Sequence, residues 1–419
     1  MHDPLNWLDD ELARLAAGGL LRKLAVRSGP QSGLQVILNG ESLANFGSND
    51  YLGIAASLSQ GNIDDAVRQA GWGAGASPLI IGRGEFHARL EAALAKFEGT
   101  AAALLFPTGF AANAGTIAAL VGPGDVVFSD ALNHASLIDG CRLSGAQVVV
   151  YRHCDVAHLR ELLAAAPAAK KKLIVTDSLF SMDGDLAPLV YLTELAEQHR
   201  AMLMVDEAHA TGVFGANGRG VSEHLGVEDA VHIRVGTLSK ALGSMGGFVA
   251  GQQRLIDWLT NRARTYFFST ACPEAVAAAG LAALSIVQEQ PQRRIELLAR
   301  ASQLREQLRA QGWPLPDVGS QIIPLRIGDA EPTMRFAAWL RDQGFFVPGI
   351  RPPSVPAGQS LLRLSLTWQH DVGTLSRLLS AVGEGRKRFV KSDYLRGEVG
   401  LRISPSPRPY FQKRGEERE

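Results

Sequence analysis

The sequence is poor in cysteine. Its 419 residues include only Cys141, Cys154 and Cys272, widely spaced and without a Cys-x-x-Cys pair. That pattern argues against a disulfide framework and fits a reducing compartment. An excess of one charge is missing too: 42 Lys and Arg balance 42 Asp and Glu. Nothing electrostatic therefore asks for a nucleic acid or an anionic membrane as partner. Long hydrophobic runs are absent as well. The stretch AVAAAGLAALSIV at 275–287 has 13 residues, where a membrane helix needs roughly 20, so it reads as a buried helix. The opening MHDPLNWLDDELARL carries acids and no apolar signal core. A soluble, cytoplasmic protein is the expectation.

What the chain does have is the material for a large core. Hydrophobic residues make up 46% and charged residues 20%, enough for two or three domains. From about residue 100, short β-rich runs alternate with helical stretches: AALLF (102–106), DVVFSD (125–130), QVVVYRH (147–153), KLIVTDS (172–178), MLMVDEAH (202–209), VHIRVGT (231–237) and GFVAG (247–251). Most are continuously apolar, the mark of strands covered on both faces. The pattern predicts an α/β domain with a mainly parallel seven-stranded sheet. Before it lie an amphipathic helix at about 5–26, a polar loop NFGSNDYLG (45–53) and a glycine-rich stretch GWGAGASPLIIGRG (71–84). The last lacks GxGxxG spacing and follows no strand. Beyond residue 285, RRIELLARASQLREQLRAQG reads as a long helix, and SQIIPLRIG and SLLRLSL read as strands, giving a smaller α+β C-terminal domain. The expected division is an N-terminal arm and helix (1–48), a large α/β domain (49–288), a small domain (289–390) and a charged, proline-dotted flexible tail (391–419).

Ligands of open α/β sheets bind at the carboxyl ends of the strands. Here LLF leads to PTGFAAN, VVFSD to ALNHAS, LIVTDS to LFSMDGD, MLMV to DEAHATG and HIRV to GTLSKALG. Polar and titratable groups thus collect at one end of the sheet, and Thr108 or Gly109 can open a helix with free N–H groups. Lys240 sits among Gly236, Ser239, Ala241, Gly243 and Ser244. A lysine at a helix start ordinarily snorkels to water. An amine held in a roomy, dehydrated site instead loses charge readily and becomes a nucleophile for a Schiff base. Asp206 ends the apolar run Met202–Val205, and a buried carboxylate needs a cationic or donor partner. In a pyridoxal phosphate site that partner is the pyridinium nitrogen. VDEAH also looks like a helicase box, but that reading requires GxxxxGK[ST], and no Gly-Lys dipeptide occurs in the chain. His134, Asp206 and His209 are metal-ligand types, yet neither HExxH nor a cysteine pair supports them, and no metal is expected.

NFGSNDYLG, TGFAANAG, DALNHASLIDG, SLFSMDGDLAPL, VDEAHATGVFG, TLSKALG and RPPSVPAGQSLLRLSL occur together and in order within residues 22–385. Each is weak alone, and seven in register are specific. The chain resembles the α-oxoamine synthases, pyridoxal phosphate enzymes of the fold-type-I aminotransferase class. The resemblance implies that Lys240 is the covalent anchor of pyridoxal 5'-phosphate, that Asp206 faces its ring nitrogen and that His134 stacks on the ring. It further implies His209 and Ser181 at the phenolic oxygen. Gly109, Phe110 and Thr237 would meet the phosphate, with Ser269 reaching it across a homodimer interface. Asn49 and Arg363 would handle the amino-acid carboxylate, and Arg22 and Ser354 the acyl substrate, although threonine is usual at the position of Ser354. The implied reaction is decarboxylative condensation of an amino acid with an acyl thioester. GIRPPSVPAG (349–358) is most similar to the branch that joins L-alanine to a pimeloyl thioester, either pimeloyl-CoA or pimeloyl-acyl carrier protein, in biotin synthesis. Sister branches that use glycine and another acyl-CoA remain open. A non-catalytic subunit is disfavoured because Lys240, Asp206, His134 and His209 are all present.

Overall fold

A computed structural model describes residues 3–390 apart from 31, 59, 167–170 and 317–318; the expected tail, 391–419, lies outside the described residues. Seven strands form the central sheet: β1 (Ala102–Phe106), β2 (Val126–Asp130), β3 (Gln147–Tyr151), β4 (Lys172–Asp177), β5 (Met202–Asp206), β6 (Ile233–Thr237) and β7 (Gly247–Gly251). Their order is β1-β7-β6-β5-β4-β2-β3. All pairings are parallel except those of β7, which runs antiparallel to both β1 and β6. The mainly parallel sheet expected from the apolar runs is therefore present, with one reversed strand.

Continuous apolarity follows from two-sided burial. Ile174, Leu203, Val205 and Phe248 pack into one layer, while Leu173, Val175, Met204 and Val249 pack into the other. Helix Gly109–Leu120 and helix Gln253–Arg262 contribute to the second layer through Ile117 and Leu259. The run 275–287 lies in helix Glu274–Glu289, whose Ala277, Ala283, Leu284 and Val287 are buried in the first layer. Strand β3 differs in exposing Val148 and Val150, as an edge strand does.

The N-terminal helix is shorter than expected, spanning Trp7–Ala17 rather than 5–26, and none of it is buried. Gly18 caps it and Gly19 takes φ +65°, a conformation that stops a right-handed helix. Strands Arg27–Ser28, Gln35–Leu38 and Glu41–Asn45 follow in a small sheet, whose fourth strand is the distant pair Phe345–Phe346, parallel to Glu41–Asn45. The C-terminal part builds an antiparallel sheet from Ile322–Gly328, Ser360–Ser365 and Gly349–Ile350. Helices Gln292–Ala310, Ala330–Asp342 and Val372–Phe389 supply its apolar cover through Leu304, Phe336 and Leu378. NFGSNDYLG is a loop, but a packed one: Phe46 and Tyr51 are fully buried, and their carbonyls accept the amides of Ser365 and Trp368. The C-terminal unit is thereby fastened beside the strand ends. Among the described residues no helix is long and apolar enough to cross a membrane.

Candidate active site

Strands β4 and β5 end on two acids, Asp177 and Asp206, paired in register. Asp206 is held by two donors: Asn113 Nδ2 at 2.6 Å and the Ala208 amide at 2.8 Å. Asn113 comes from helix Gly109–Leu120 and also donates to Ser136 Oγ at 2.9 Å. Asp177 accepts the His134 amide at 2.7 Å. Burial, then repulsion from Asp206, pushes the Asp177 carboxyl well above its usual range, with the His134 amide opposing. Of the two acids, Asp177 is therefore driven toward its neutral form.

Lys240 lies in the turn between β6 and β7. The turn is closed by bonds from the Gly243 amide to the Lys240 carbonyl and from the Ser244 amide to the Leu238 carbonyl. Gly243 has φ +61°, and a Cβ there would lie 2.5 Å from the Ala55 nitrogen, so the turn seats directly on the chain that follows NFGSNDYLG. Lys240 is half-buried and lines an open cavity with Gly47, Asn49, Asp50, Ala55 and Ser244. Loss of hydration lowers its pKa to about 8; Asp206 and Asp177 pull upward, and Arg363 adds to the fall.

Opposite this turn, helix Gly109–Leu120 is capped by Thr108, whose Oγ1 accepts the Ala111 amide at 3.0 Å. The Gly109 and Phe110 amides belong to the first turn, which has no intrahelical acceptors, so they form an anion seat. Strand β7 meets that seat closely: a Cβ on Gly247 would lie 2.6 Å from Gly109 Cα. Thr237 borders it and donates to the Gly246 carbonyl at 2.8 Å. Ser269 follows helix Arg264–Phe267 and is half-buried; no hydrogen bond among the described residues ties it to this seat.

His134 caps helix Ala135–Ser144, its Nδ1 2.7 Å from Ser136 Oγ. The residue is exposed overall, yet the protein around its ring removes hydration and lowers its pKa, Asp206 opposing and Lys240 reinforcing. His209 is buried with Nδ1 2.7 Å from Tyr51 Oη. Burial and the positive charges of Lys240 and Arg363 hold it well below the ordinary histidine range, so it is neutral. Arg363, on strand Ser360–Ser365, makes a fan of donations: Nε to the Ser181 carbonyl at 2.5 Å, Nη1 to Ser365 Oγ at 2.7 Å, and Nη1 and Nη2 to Asn49 Oδ1 at 3.2 and 3.3 Å. Nη2 also reaches Tyr51 Oη at 3.4 Å. Ser181 thus enters through its carbonyl.

The aminotransferase class I and II family matches residues 41–382. The chain belongs to that family. Within this family the chain is 49% identical over 379 residues to an 8-amino-7-oxononanoate synthase of Anaeromyxobacter dehalogenans (strain 2CP-1), a match covering 90% of this chain and 95% of the relative. It is 47% identical over 376 residues to the synthase of that name from Geobacter sulfurreducens, covering 89% and 96%. Among solved structures it resembles a serine palmitoyltransferase from S. paucimobilis with a bound PLP–myriocin aldimine, at TM-score 0.87 and 32% identity over 93% of this chain and 99% of that one. An 8-amino-7-oxononanoate synthase from Francisella tularensis matches at TM-score 0.72 and 26% identity, covering 83% and 98%. The family and its PLP-bound relatives imply that this aminotransferase-family protein depends on pyridoxal phosphate.

The structure joins some of the expected residues and leaves others apart. Asn49, Ser181, His209 and Arg363 form one hydrogen-bonded group through Tyr51; Lys240 acts on its electrostatics at His209, and Asp206 acts on Lys240. Arg22 and Ser354 lie elsewhere: Arg22 Nη2 donates to the Pro352 carbonyl at 3.3 Å, and Ser354, two residues on in the chain, is exposed. No hydrogen bond among the described residues connects that lip to the Lys240 group. Sequence reasoning missed Tyr51, Asn113 and Asp177. All three lie inside NFGSNDYLG, TGFAANAG and KLIVTDS; an acid at a strand end was the available signal for Asp177, and Tyr51 and Asn113 had none.

Proposed function

We propose that the protein is an 8-amino-7-oxononanoate synthase, a cytoplasmic acyltransferase of biotin synthesis. In this reading it condenses L-alanine with a pimeloyl thioester, of CoA or of acyl carrier protein, to 8-amino-7-oxononanoate, CO2 and free thiol. The observation that carries the reading is the pairing of a dehydrated lysine with a carboxylate grip. Lys240, lowered to about 8, shares its electrostatic neighbourhood with Arg363, and the longest Arg363 contacts, 3.2–3.4 Å to Asn49 and Tyr51, are those a substrate carboxylate would displace with shorter, charge-assisted bonds. The names of relatives at 47–49% identity support the substrate pair.

The residues present fit pyridoxal phosphate. The close approach of Gly247 to Gly109 leaves the helix start open as a phosphate seat, and Asp206 offers a buried, doubly held carboxylate for a ring nitrogen. In this reading Gly109, Phe110 and Thr237 take the phosphate together with Ser269 of the partner subunit. His134 covers the ring, and His209 and Ser181 hold its phenolic oxygen. When bound, the cofactor supplies an electron sink for the carbanion left by loss of the α-proton. Lys240 anchors it and, once released, accepts that proton at Nζ; a pKa of about 8 leaves a useful fraction of neutral amine near neutrality. Asn49 and Arg363 hold the amino acid by its carboxylate, and Arg22 and Ser354 guide the thioester. Residues 49–288 serve as the cofactor-binding unit and 289–390 as its cover.

L-alanine with the pimeloyl thioester is expected to give the highest kcat/KM in a thiol-release assay run across alanine, glycine and serine with several acyl thioesters. One methyl is worth about 1–3 kcal/mol in an apolar pocket, so glycine should turn over weakly. Glycine with acetyl-CoA or succinyl-CoA outrunning the alanine pair would move the protein to a sister activity.

The same reading makes the protein a homodimer. The 71–84 segment exposes Trp72, Leu79, Ile80 and Ile81, an apolar load that favours a partner surface. Analytical ultracentrifugation should find a dimer across the activity range, whereas a fully active monomer would contradict the shared phosphate seat.

A further inference from the structure

Outside the Lys240 cluster, His153, two residues beyond β3, is bonded through both ring nitrogens. Its Nδ1 lies 2.9 Å from Asp130 Oδ1 at the end of β2, and its Nε2 lies 2.8 Å from Asp185 Oδ2 in the loop after β4. The Phe180 ring meets the imidazole edge-on at 4.4 Å between centroids, and Cys154 donates its amide to Asp130 Oδ2 at 2.9 Å. Burial alone would lower the His153 pKa, but the bonds to Asp130 and Asp185 outweigh it and raise it to about 12. His153 is therefore a cation bracketed by two carboxylates. Because both ring nitrogens are engaged, the Asp130, His153 and Cys154 cluster reads as an ion pair, not a metal centre.

The loop it grips, 178–187, is compact. The Phe180 amide bonds the Asp185 carbonyl at 3.0 Å, the Gly184 amide bonds the Phe180 carbonyl at 2.8 Å, and the Ala187 amide bonds the Ser178 carbonyl at 2.9 Å. On its far side Asp183 pairs with Arg326 of strand Ile322–Gly328. Ser320 Oγ donates to the Gly184 carbonyl at 2.6 Å. Ser181, two residues before Asp183 in the same loop, fixes Arg363 Nε through its carbonyl.

We propose that His153 is a positioning residue for the carboxylate grip: held between Asp130 and Asp185, it fixes the 178–187 loop so that the Ser181 carbonyl aligns the Arg363 guanidinium. This rests on the reading of Arg363 as the group that binds the amino-acid carboxylate. In the holoenzyme, His153→Gln should raise KM for L-alanine about tenfold, the consequence of loosening one charge-assisted contact. Its kcat and KM for the thioester should stay within about twofold. A spectral titration of the bound cofactor with L-alanine should show the same weakening without turnover. Asp185→Asn should reproduce the pattern and decides the matter if His153→Gln does not fold. An unchanged amino-acid affinity in either folded variant, or equal losses in kcat and in both KM values, would overturn the proposal. If glycine is the better amino acid, the substrate assignment fails but this test is run with glycine, because the carboxylate is common to both.

Discussion

Lys240→Ala protein should fold, form no borohydride-fixable bond to pyridoxal phosphate at that position, and lose turnover by on the order of 10⁴-fold or more, because one substitution removes both the covalent anchor and the proton acceptor. Borohydride treatment of the loaded wild type should fix the cofactor's mass on a peptide containing Lys240, and appreciable turnover by the alanine variant would refute the assignment. The amine's environment makes a second readout available. Burial sets its pKa at about 8, and only the neutral amine attacks an aldehyde. Uptake of pyridoxal phosphate by stripped protein should therefore accelerate about tenfold per pH unit below that value and level off above it. An acceleration that continued to about pH 10 would mark an ordinary, hydrated lysine.

Asp206→Asn is the second large effect. The substitution keeps the shape and deletes the charge, so the fold and the Ala208 contact should survive while the carboxylate presented to a ring nitrogen is lost. Removal of one preorganised electrostatic partner typically costs on the order of 10²–10³ in rate, and that fall in kcat is expected at saturating cofactor. Asn113 stands 2.6 Å from the carboxylate and in the variant faces another amide. Near-wild-type kcat would show that the ring nitrogen does not depend on the Asp206 charge.

The central sheet was legible because its strands are buried on both faces. Runs such as KLIVTDS and GFVAG mark β4 and β7 to within a residue at each end. The reversal of β7 was not legible, since direction lies in pairing and not in composition. The N-terminal helix was read too long because apolar spacing continues through LLRKLAV, whereas Gly18 and Gly19 end the helix at Ala17. Lys240 and Asp206 could be picked out locally, one by its small neighbours and the other by the strand it ends. Tyr51 could not, because its value comes from touching His209 and Arg363, 158 and 312 positions away. Contacts of that kind leave no trace in a local window.

The pairing of Glu41–Asn45 with Phe345–Phe346 also bears on how the chain is made. A ribosome adds roughly 5–20 residues per second, so the early strand emerges roughly 15–60 s before its parallel neighbour exists. Through that interval Val36, Leu38 and Leu43, which pack together with Phe346 in the finished protein, have an open edge and an incomplete cover. Such a half-built sheet is a template for pairing with other nascent chains. Slower translation lengthens that exposure, and a chaperone that shields the first fifty residues shortens it, so the yield of folded protein is tied to events at the start of the chain that only its last quarter can close.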